Sequence, residues 1–367
     1  MFDFISHKSP GETKVVVAMS GGVDSSVVAA KLYEMGYNVI GITLQLYDHG
    51  ANLAKKGACC AGQDIYDAKM VADKFGFPHY VLDYESKFKQ SVVDDFADSY
   101  IRGETPLPCV RCNQSVKFKD LLKMAKDLDA DFLATGHYVK KIEGKNGPEL
   151  HKAIDHTKDQ SYFLFATTRE QLSFLQFPLG SMTKDETRKE AEKLGLTISN
   201  KPDSQDICFV PNGKYADVIK KLRPHSYSQG KIMHVDGFEL GNHEGIINYT
   251  IGQRRGLGIA YNVPLYVTEI DPENNIVYVG EEKDLFTYDL TAKEFNWISD
   301  EPIPAEGLEI TTKLRSTHKG IKSKIYLLDG GKIHVKLPRG DKSVAPGQAC
   351  VFYNDSRVLG GGWITRT

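Results

Sequence analysis

The stretch Ala18-Met-Ser-Gly-Gly-Val-Asp-Ser25, closed by Ser26, constrains this chain more than any other. It follows Lys14-Val-Val-Val-Ala18, a β-branched run, and precedes Ser25 to Met35, where apolar residues recur at helical spacing. The pattern predicts a strand feeding a glycine turn that opens a helix. The first N–H groups of such a helix lack intrahelical partners and carry the positive end of its dipole, which makes the turn an anion site. Gly21 and Gly22 remove Cβ atoms that would hold a phosphate away. Ser20, Ser25 and Ser26 offer hydroxyls, and Asp24 offers a carboxylate to a phosphate-bound Mg²⁺. An ordinary βα turn uses the same residue types as caps, and a bare Gly-Gly would support no more than that.

The whole string says more: it is similar to the pyrophosphate-binding loop of the ATP-pyrophosphatase superfamily, which cleaves ATP between its α and β phosphates and leaves an adenylate on the acceptor. It lacks the Gly-Lys-Ser/Thr ending of a Walker loop, which disfavours γ-phosphoryl transfer. From Lys14 to about Thr135 the spacing predicts strands at Val15 to Ala18, Asn38 to Leu44, His79 to Leu82 and Phe132 to Ala134. Helices are expected at Asp24 to Met35, Asp64 to Phe75, Lys87 to Arg102 and Val116 to Leu128. Such alternation makes a parallel sheet covered on both faces, with ligands at the carboxyl ends of its strands. Leu44 ends the second strand, where it can meet an adenine ring or simply fill the core.

A chain of 367 residues holds two or three domains. With 46 Lys and Arg against 48 Asp and Glu there is no global attraction to nucleic acid, so any RNA surface is a local patch. No apolar run reaches the ~20 residues that span a bilayer and the N-terminus does not resemble a signal peptide, so a cytoplasmic protein that meets no membrane is expected. After about residue 210 short alternating runs with Asp-Gly and Pro-Glu-Asn-Asn turns replace the βα pattern. The expected division is 1–209 as the nucleotide domain, 210–287 as a small β-rich domain and 288–367 as a compact β-barrel.

Six cysteines, at 59, 60, 109, 112, 208 and 350, are too sparse for a disulfide scaffold. Cys350 lies inside a predicted strand and reads as a small core residue. Thr105-Pro-Leu-Pro-Cys-Val-Arg-Cys-Asn113 carries Cys109 and Cys112 between two helices, and its prolines predict an irregular loop. Four thiolates from Cys59, Cys60, Cys109 and Cys112 could form a zinc site, though an adjacent pair makes a poor metal knuckle. Sulfur chemistry is the other reading: Cys112 and Cys208 sit on separate loops, where one thiolate can hold a persulfide sulfur that the other displaces by forming a disulfide. Gly136, in Ala134-Thr-Gly-His-Tyr138 after the next strand, can admit nucleotide close to the backbone, with His137 presented at the sheet edge.

Ser20-Gly-Gly-Val-Asp-Ser25, Pro108-x-x-x-Cys-Asn113 ahead of Lys117-Phe118, Ala134-Thr-Gly-His-Tyr138, Lys158-Asp-Gln-Ser-Tyr-Phe163, Asp206-Ile-Cys-Phe209, Thr250-Ile-Gly-Gln-Arg-Arg-Gly-Leu-Gly258, Pro346-Gly-Gln348 and Gly360-Gly-Gly362 stand in the order seen in the bacterial tRNA-specific 2-thiouridylase family. From about Lys14 onward the chain resembles that family along nearly its whole length. The resemblance implies an α/β fold whose N-terminal parallel-sheet adenine-nucleotide domain (ATP-pyrophosphatase, HUP-like) is followed by a β-rich domain and a tRNA-binding β-barrel. It implies ATP-dependent replacement of the C2 oxygen of a tRNA wobble uridine by sulfur. Adenylation turns that oxygen into a leaving group, Cys208 carries the persulfide, and Cys112 resolves the product as a disulfide or first releases hydrogen sulfide. ATP with Mg²⁺, tRNA, a persulfide donor protein and a reductant are the implied cofactors and partners.

By the same resemblance Ala18, Met19, Ser20, Gly21, Gly22, Val23, Asp24, Ser25, Leu44 and Gly136 line the ATP site. Leu107, Pro108, Cys109, His137, Lys158, Asp159, Gln160, Arg315, Ser316 and Gln348 face tRNA. Lys313, Arg315, His318, Lys319, Lys322 and Lys324 give the last domain a face for phosphates. The chain departs from the family at Cys109, where many members have an acidic residue able to act as acid or base. Cys109, Cys112 and Cys208 form a thiolate trio that could instead hold a [4Fe-4S] cluster with one iron open to sulfide. Two rivals remain: another adenylating enzyme on the same loop, and an RNA-binding module without turnover.

Overall fold

In a computed structural model that describes residues 2, 4, 8–47, 61–203, 207–210, 213–342 and 344–366, the valine run becomes the middle of a parallel sheet. The first seven strands are β1 (Lys14–Ala18), β2 (Asn38–Gln45), β3 (His79–Asp83), β4 (Phe132–Thr135), β5 (Val139–Gly144), β6 (Gly147–Lys152) and β7 (Leu175–Gln176). The sheet runs β3-β2-β1-β4-β7, every neighbour parallel. Val15, Val16 and Val17 are all fully buried because both faces are covered, which is why the run is continuous rather than alternating. On one face Val15 and Val17 pack with Val27, Val28 and Leu32 of α1 (Val23–Glu34) and with Ala68 and Ala72 of α2 (Ala61–Phe75). On the other face Val16 joins Phe118, Leu121, Leu133, Tyr162, Phe165, Val351, Tyr353 and Trp363 in one core that runs on into the last domain.

The central domain is a four-stranded sheet of β8 (Gly230–His234), β9 (Glu239–His243), β10 (Tyr266–Asp271) and β11 (Ile276–Gly280), ordered β10-β11-β8-β9. The last domain has β12 (Phe286–Trp297), β13 (Leu308–Lys313), β14 (Ile321–Leu328), β15 (Lys332–Lys342), β16 (Ala349–Asn354) and β17 (Arg357–Ile364). Their order β12-β15-β14-β13-β16-β17 closes through β12–β17 pairing into a six-stranded barrel, so none of its strands is left as an open edge. Cys350 lies in the core of that barrel, as its strand position predicts. The hairpin β5–β6 of the first domain pairs with β17, Leu150 against Val358 and His151 against Arg357. Backbone hydrogen bonds therefore join the nucleotide domain to the barrel.

One expectation is corrected. The segment with Cys109 and Cys112 is helical: Pro108–Arg111, a π-helical stretch Cys112–Leu121 and Leu122–Asp127 follow one another without a break. Pro108 opens the helix at its first turn, where a missing N–H costs nothing and the fixed φ already suits the helix. The prolines start this "cysteine helix" rather than forbid it. Cys59 and Cys60, and with them the zinc reading, lie outside the described residues, as does Asp206 beside the second cysteine.

Candidate active site

The Ala18–Ser26 loop is folded largely on itself. Met19 N donates to Ile42 O at 2.8 Å, carrying β1 one residue further along β2. Ser20 N donates to Ser25 Oγ at 3.0 Å, and Ser25 Oγ reaches back to Gly22 O at 3.3 Å, so this hydroxyl closes the turn. Ser26 Oγ is buried with no hydrogen-bond partner among the described residues. Gly22 is the N-cap of α1 and offers no side chain to the first amides, which leaves them for a ligand. Gly21 has φ +71°, and a Cβ there would stand 2.1 Å from Asp64 O. Its glycine is demanded by α2 as well as by any phosphate. At Gly136 a Cβ would lie 2.8 Å from Ser25 N, so only glycine lets the end of β4 approach that amide. Lys201 Nζ ties the loop down by donating to Gly21 O at 2.9 Å while pairing with Asp64 at 2.7 Å and Asp67 at 2.5 Å.

Around the start of α1 lies a charge network that motif reading did not disclose. Lys184 Nζ holds both oxygens of Asp24, at 2.7 and 2.9 Å, and Tyr138 Oη donates to Oδ1 at 2.8 Å. Lys184 also pairs with Asp203 at 2.9 Å, as do Lys158 at 2.6 Å and Arg188 at 2.9 Å. Burial works against the Asp203 carboxylate, yet hydrogen bonds from Lys158 and Lys184 hold it at about 2. Lys158, Lys184 and Arg188 thus converge on Asp24 and Asp203 at the start of α1, with Asp155 nearby accepting from Lys184 N at 3.0 Å. A Mg²⁺ on Asp24 would therefore share its carboxylate with the Lys184 ammonium. Among the described residues no three His, Cys, Asp or Glu side chains gather as a metal site.

The thiols lie near the end of β2, where Leu44 packs on the cluster that buries Cys112. Cys112 is buried with Phe88, Val92 and Val116, and Leu44 and Phe209 pack on that cluster. Phe209 meets Phe88 at 5.8 Å and Phe96 at 5.1 Å, both edge-on, which pins the Cys208 segment against the helical stretch of residues 85–101. Burial pushes the Cys112 thiol up, with Lys117 opposing and Cys109 adding. Although Cys208 shows part of its surface to solvent, protein crowds its thiol and pushes it up to about 12, with Cys112 and Cys109 adding to the rise. The three cysteines therefore lie within electrostatic reach of one another. Leu44, at the end of β2, touches both the sheet core and the Cys112 cluster, linking the nucleotide side to the sulfur side.

His137 bridges the two halves. Its Nδ1 is 2.9 Å from Thr135 Oγ1, and its ring packs edge-on to Phe118 of the cysteine helix at 5.9 Å. Burial, helped by Lys117, holds the imidazole down to about 3, so it is neutral at physiological pH. The other residues expected to face tRNA divide. Lys158 belongs to the Asp203 network. Asp159 accepts from Ala153 N, Ser161 N and Ser161 Oγ, and Gln160 Oε1 accepts from Tyr138 N at 2.8 Å, so both side chains are engaged inside the fold. Arg315 contacts Asp341 Oδ1 at 3.3 Å and Lys342 O at 3.2 Å, beside exposed Ser316. Leu107 precedes the cysteine helix and Pro108 and Cys109 open it. Gln348 Nε2 donates to Thr105 O at 2.9 Å and Thr105 N to Pro346 O at 2.7 Å, fastening a barrel turn to the segment that leads into Cys109.

A second fastening lies between the cysteines. Arg111 binds Glu294 of β12 through both terminal nitrogens, at 2.7 and 3.1 Å, and its Cζ sits 4.3 Å from the Trp363 ring of β17. Glu294 has φ +50° where the β12–β17 register shifts, a bulge that aims the carboxylate at the helix. Glu294→Gln is expected to lower Tm by only a few degrees, since Glu294 is half exposed. It should slow single-turnover sulfur transfer several-fold with ATP affinity unchanged. Calorimetry and rapid-quench kinetics on one preparation check both.

Three family models match the chain end to end. Their descriptions are tRNA methyl transferase HUP domain over 13–212, tRNA methyl transferase PRC-barrel domain over 216–281, and aminomethyltransferase beta-barrel domain over 287–364. The tRNA-specific 2-thiouridylase MnmA of Rickettsia bellii is 66% identical over 355 residues, 97% of each chain. That of Rickettsia canadensis is 67% identical over 352 residues, 96% of each. Among solved structures a 4-thiouridine synthetase–RNA complex with bound ATP is 18% identical, at a TM-score of 0.37 over 58% of this chain and 51% of that one. Two-thirds identity over almost the whole length, with matched family models for all three structural units, places the chain in the tRNA-specific 2-thiouridylase family.

Proposed function

We propose that this ATP-dependent tRNA sulfurtransferase carries out its chemistry with Cys208 as persulfide carrier and Cys112 as resolving thiol, on a wobble uridine adenylated at the Ala18–Ser26 loop. One observation supports the reading: two cysteines 96 positions apart in sequence lie within electrostatic reach of each other, and Phe209, next to Cys208, packs on the cluster that buries Cys112 beside Leu44 at the end of β2. The uncapped amides at the start of α1 and the nearby cations Lys158, Lys184 and Arg188 suit the pyrophosphate that leaves when the uridine C2 oxygen attacks the α-phosphate. ATP ordinarily arrives with Mg²⁺ on its phosphates. Since Asp24 is engaged by Lys184, no step is assigned to a protein-held metal.

A persulfide on Cys208 then attacks C2, the C2–O bond breaks, and AMP departs with that oxygen. The Cys112 thiolate attacks Cys208 Sγ, and the S–S bond breaks with its electron pair left on the sulfur now attached to C2. The products are 2-thiouridine and a Cys112–Cys208 disulfide, which a dithiol reductant reopens. Sulfur enters from a persulfide donor protein. A [4Fe-4S] cluster on Cys109, Cys112 and Cys208 does not fit, since these thiols do not gather into a ligand set among the described residues. Residues 1–209 activate the nucleotide, 288–367 hold tRNA, and 210–287 lie between. No helix among the described residues is long and apolar enough to cross a membrane, and the reaction belongs in the cytoplasm with its tRNA. Nucleoside mass spectrometry of tRNA incubated with ATP, Mg²⁺, a persulfide donor and the protein should show 2-thiouridine with AMP and pyrophosphate in equal amounts. Pyrophosphate without thiolation would overturn the sulfur half of the reading.

A further inference from the structure

Every cation described so far at the site is already paired with a carboxylate: Lys158, Lys184 and Arg188 with Asp203, Lys201 with Asp64 and Asp67, and Arg111 with Glu294. Lys117 differs. It is half-buried on the cysteine helix, and among the described residues no carboxylate pairs with it. Its place comes from an irregularity no sequence pattern shows. Residues Cys112–Leu121 are π-helical, and a π-helix bonds i to i+5, so residue 117 stands one turn above residue 112. In an α-helix of ~3.6 residues per turn it would lie about 140° round the axis, away from the thiol. π-helical turns inside longer helices recur at functional sites.

We propose that Lys117 is the cation that stabilises the reacting thiolates, its ammonium placed by the π-helical register over Cys112 and toward Cys208. This rests on the reading of Cys112 and Cys208 given above. When Cys112 gives its proton to solvent and its thiolate attacks Cys208 Sγ, negative charge moves from Cys112 to the sulfur leaving with C2. A fixed positive charge beside that path lowers the cost of both ends. Burial disfavours the thiolate at both positions, and the charge of Lys117 opposes it at each, joined at Cys208 by a backbone hydrogen bond; the same charge reaches His137. The site groups that feel its charge are Cys112, Cys208 and His137, of which His137 stays neutral.

The test reads the thiols directly and needs no turnover. At pH 8, with tRNA absent, alkylation of Cys112 and Cys208 by iodoacetamide is followed by peptide mass spectrometry in the full-length protein, in Lys117→Met and in Lys117→Arg. Lys117→Met should slow alkylation at both cysteines about tenfold and Lys117→Arg should restore most of it. Lys117→Gln repeats the test if the Met variant lowers Tm. Unchanged alkylation in the neutral variants overturns the proposal. So does a variant that slows pyrophosphate release and leaves alkylation alone, because Lys117 would then serve the nucleotide. If Cys208 proved dispensable for thiolation, the functional reading would fail while the alkylation result stood, so the two are separable.

Discussion

Cys208→Ser should abolish 2-thiouridine formation outright while leaving tRNA-dependent pyrophosphate release near the native rate. The serine hydroxyl cannot carry a persulfide, and adenylation at the Ala18–Ser26 loop uses no thiol. Cys112→Ser should behave differently. If Cys112 is the resolving thiol, as proposed, the reaction stalls after C2 has been attacked, with tRNA attached to Cys208 through a disulfide. A covalent protein–tRNA species that dithiothreitol releases as thiolated tRNA is the expected trace on a denaturing gel. If Cys112→Ser thiolates several times in succession with dithiothreitol present, an external thiol is doing the resolving. If Cys208→Ser retains even a few per cent of single-turnover activity, sulfur does not pass through that residue. Because burial raises both thiols, neither should react quickly with alkylating agents at neutral pH in the free protein. A thiol held near 12 even with Lys117 beside it is almost wholly protonated there, so fast reaction waits on substrate.

The nucleotide half was the more legible in the sequence, and the reason is physical. A strand buried on both faces writes itself as Val15-Val16-Val17, and a glycine turn before an amphipathic run marks a helix start. Strands of the barrel were legible from alternation, but its closure was not, since β12 and β17 meet only through pairing between distant segments. The hairpin β5–β6 went unread because its alternation is written in Lys and Glu. Lys141 is buried, with its ammonium donating to Ser173 O at 3.0 Å and Leu175 O at 3.2 Å, a use of lysine that hydropathy hides. Pro108 misled because proline punctuates and also initiates. Arg111 with Glu294, 183 residues apart, and Lys184 with Asp24, 160 apart, could not be paired by spacing at all. Motif matching named the candidate thiols and the glycine loop and was blind to the ion pairs packed around them.

Gly21→Ala and Gly22→Ala should separate what the fold demands of the loop from what the ligand demands. At Gly21 an alanine must accept φ +71°, a strain of about 1–2 kcal/mol, and its Cβ would press to 2.1 Å from the Asp64 carbonyl oxygen. Either the loop or α2 must move by an ångström or more, and Lys201, which bonds Gly21 O, Asp64 and Asp67 together, would carry the shift between them. A fall in Tm of several degrees and a loss of pyrophosphate release of about a hundredfold are expected, the size that an ångström of misplacement costs an oriented reaction. Gly22 is different: its φ of −89° suits any residue, and a Cβ there meets only Ser20 Oγ at 3.5 Å. Gly22→Ala should therefore fold with an unchanged Tm. If the amides of α1 do receive the pyrophosphate, the new methyl group intrudes on the ligand alone and weakens ATP binding about tenfold or more, measured by calorimetric titration against a native control. Native affinity in Gly22→Ala would mean that the phosphates lie elsewhere, and the loop would keep only its structural role against α2.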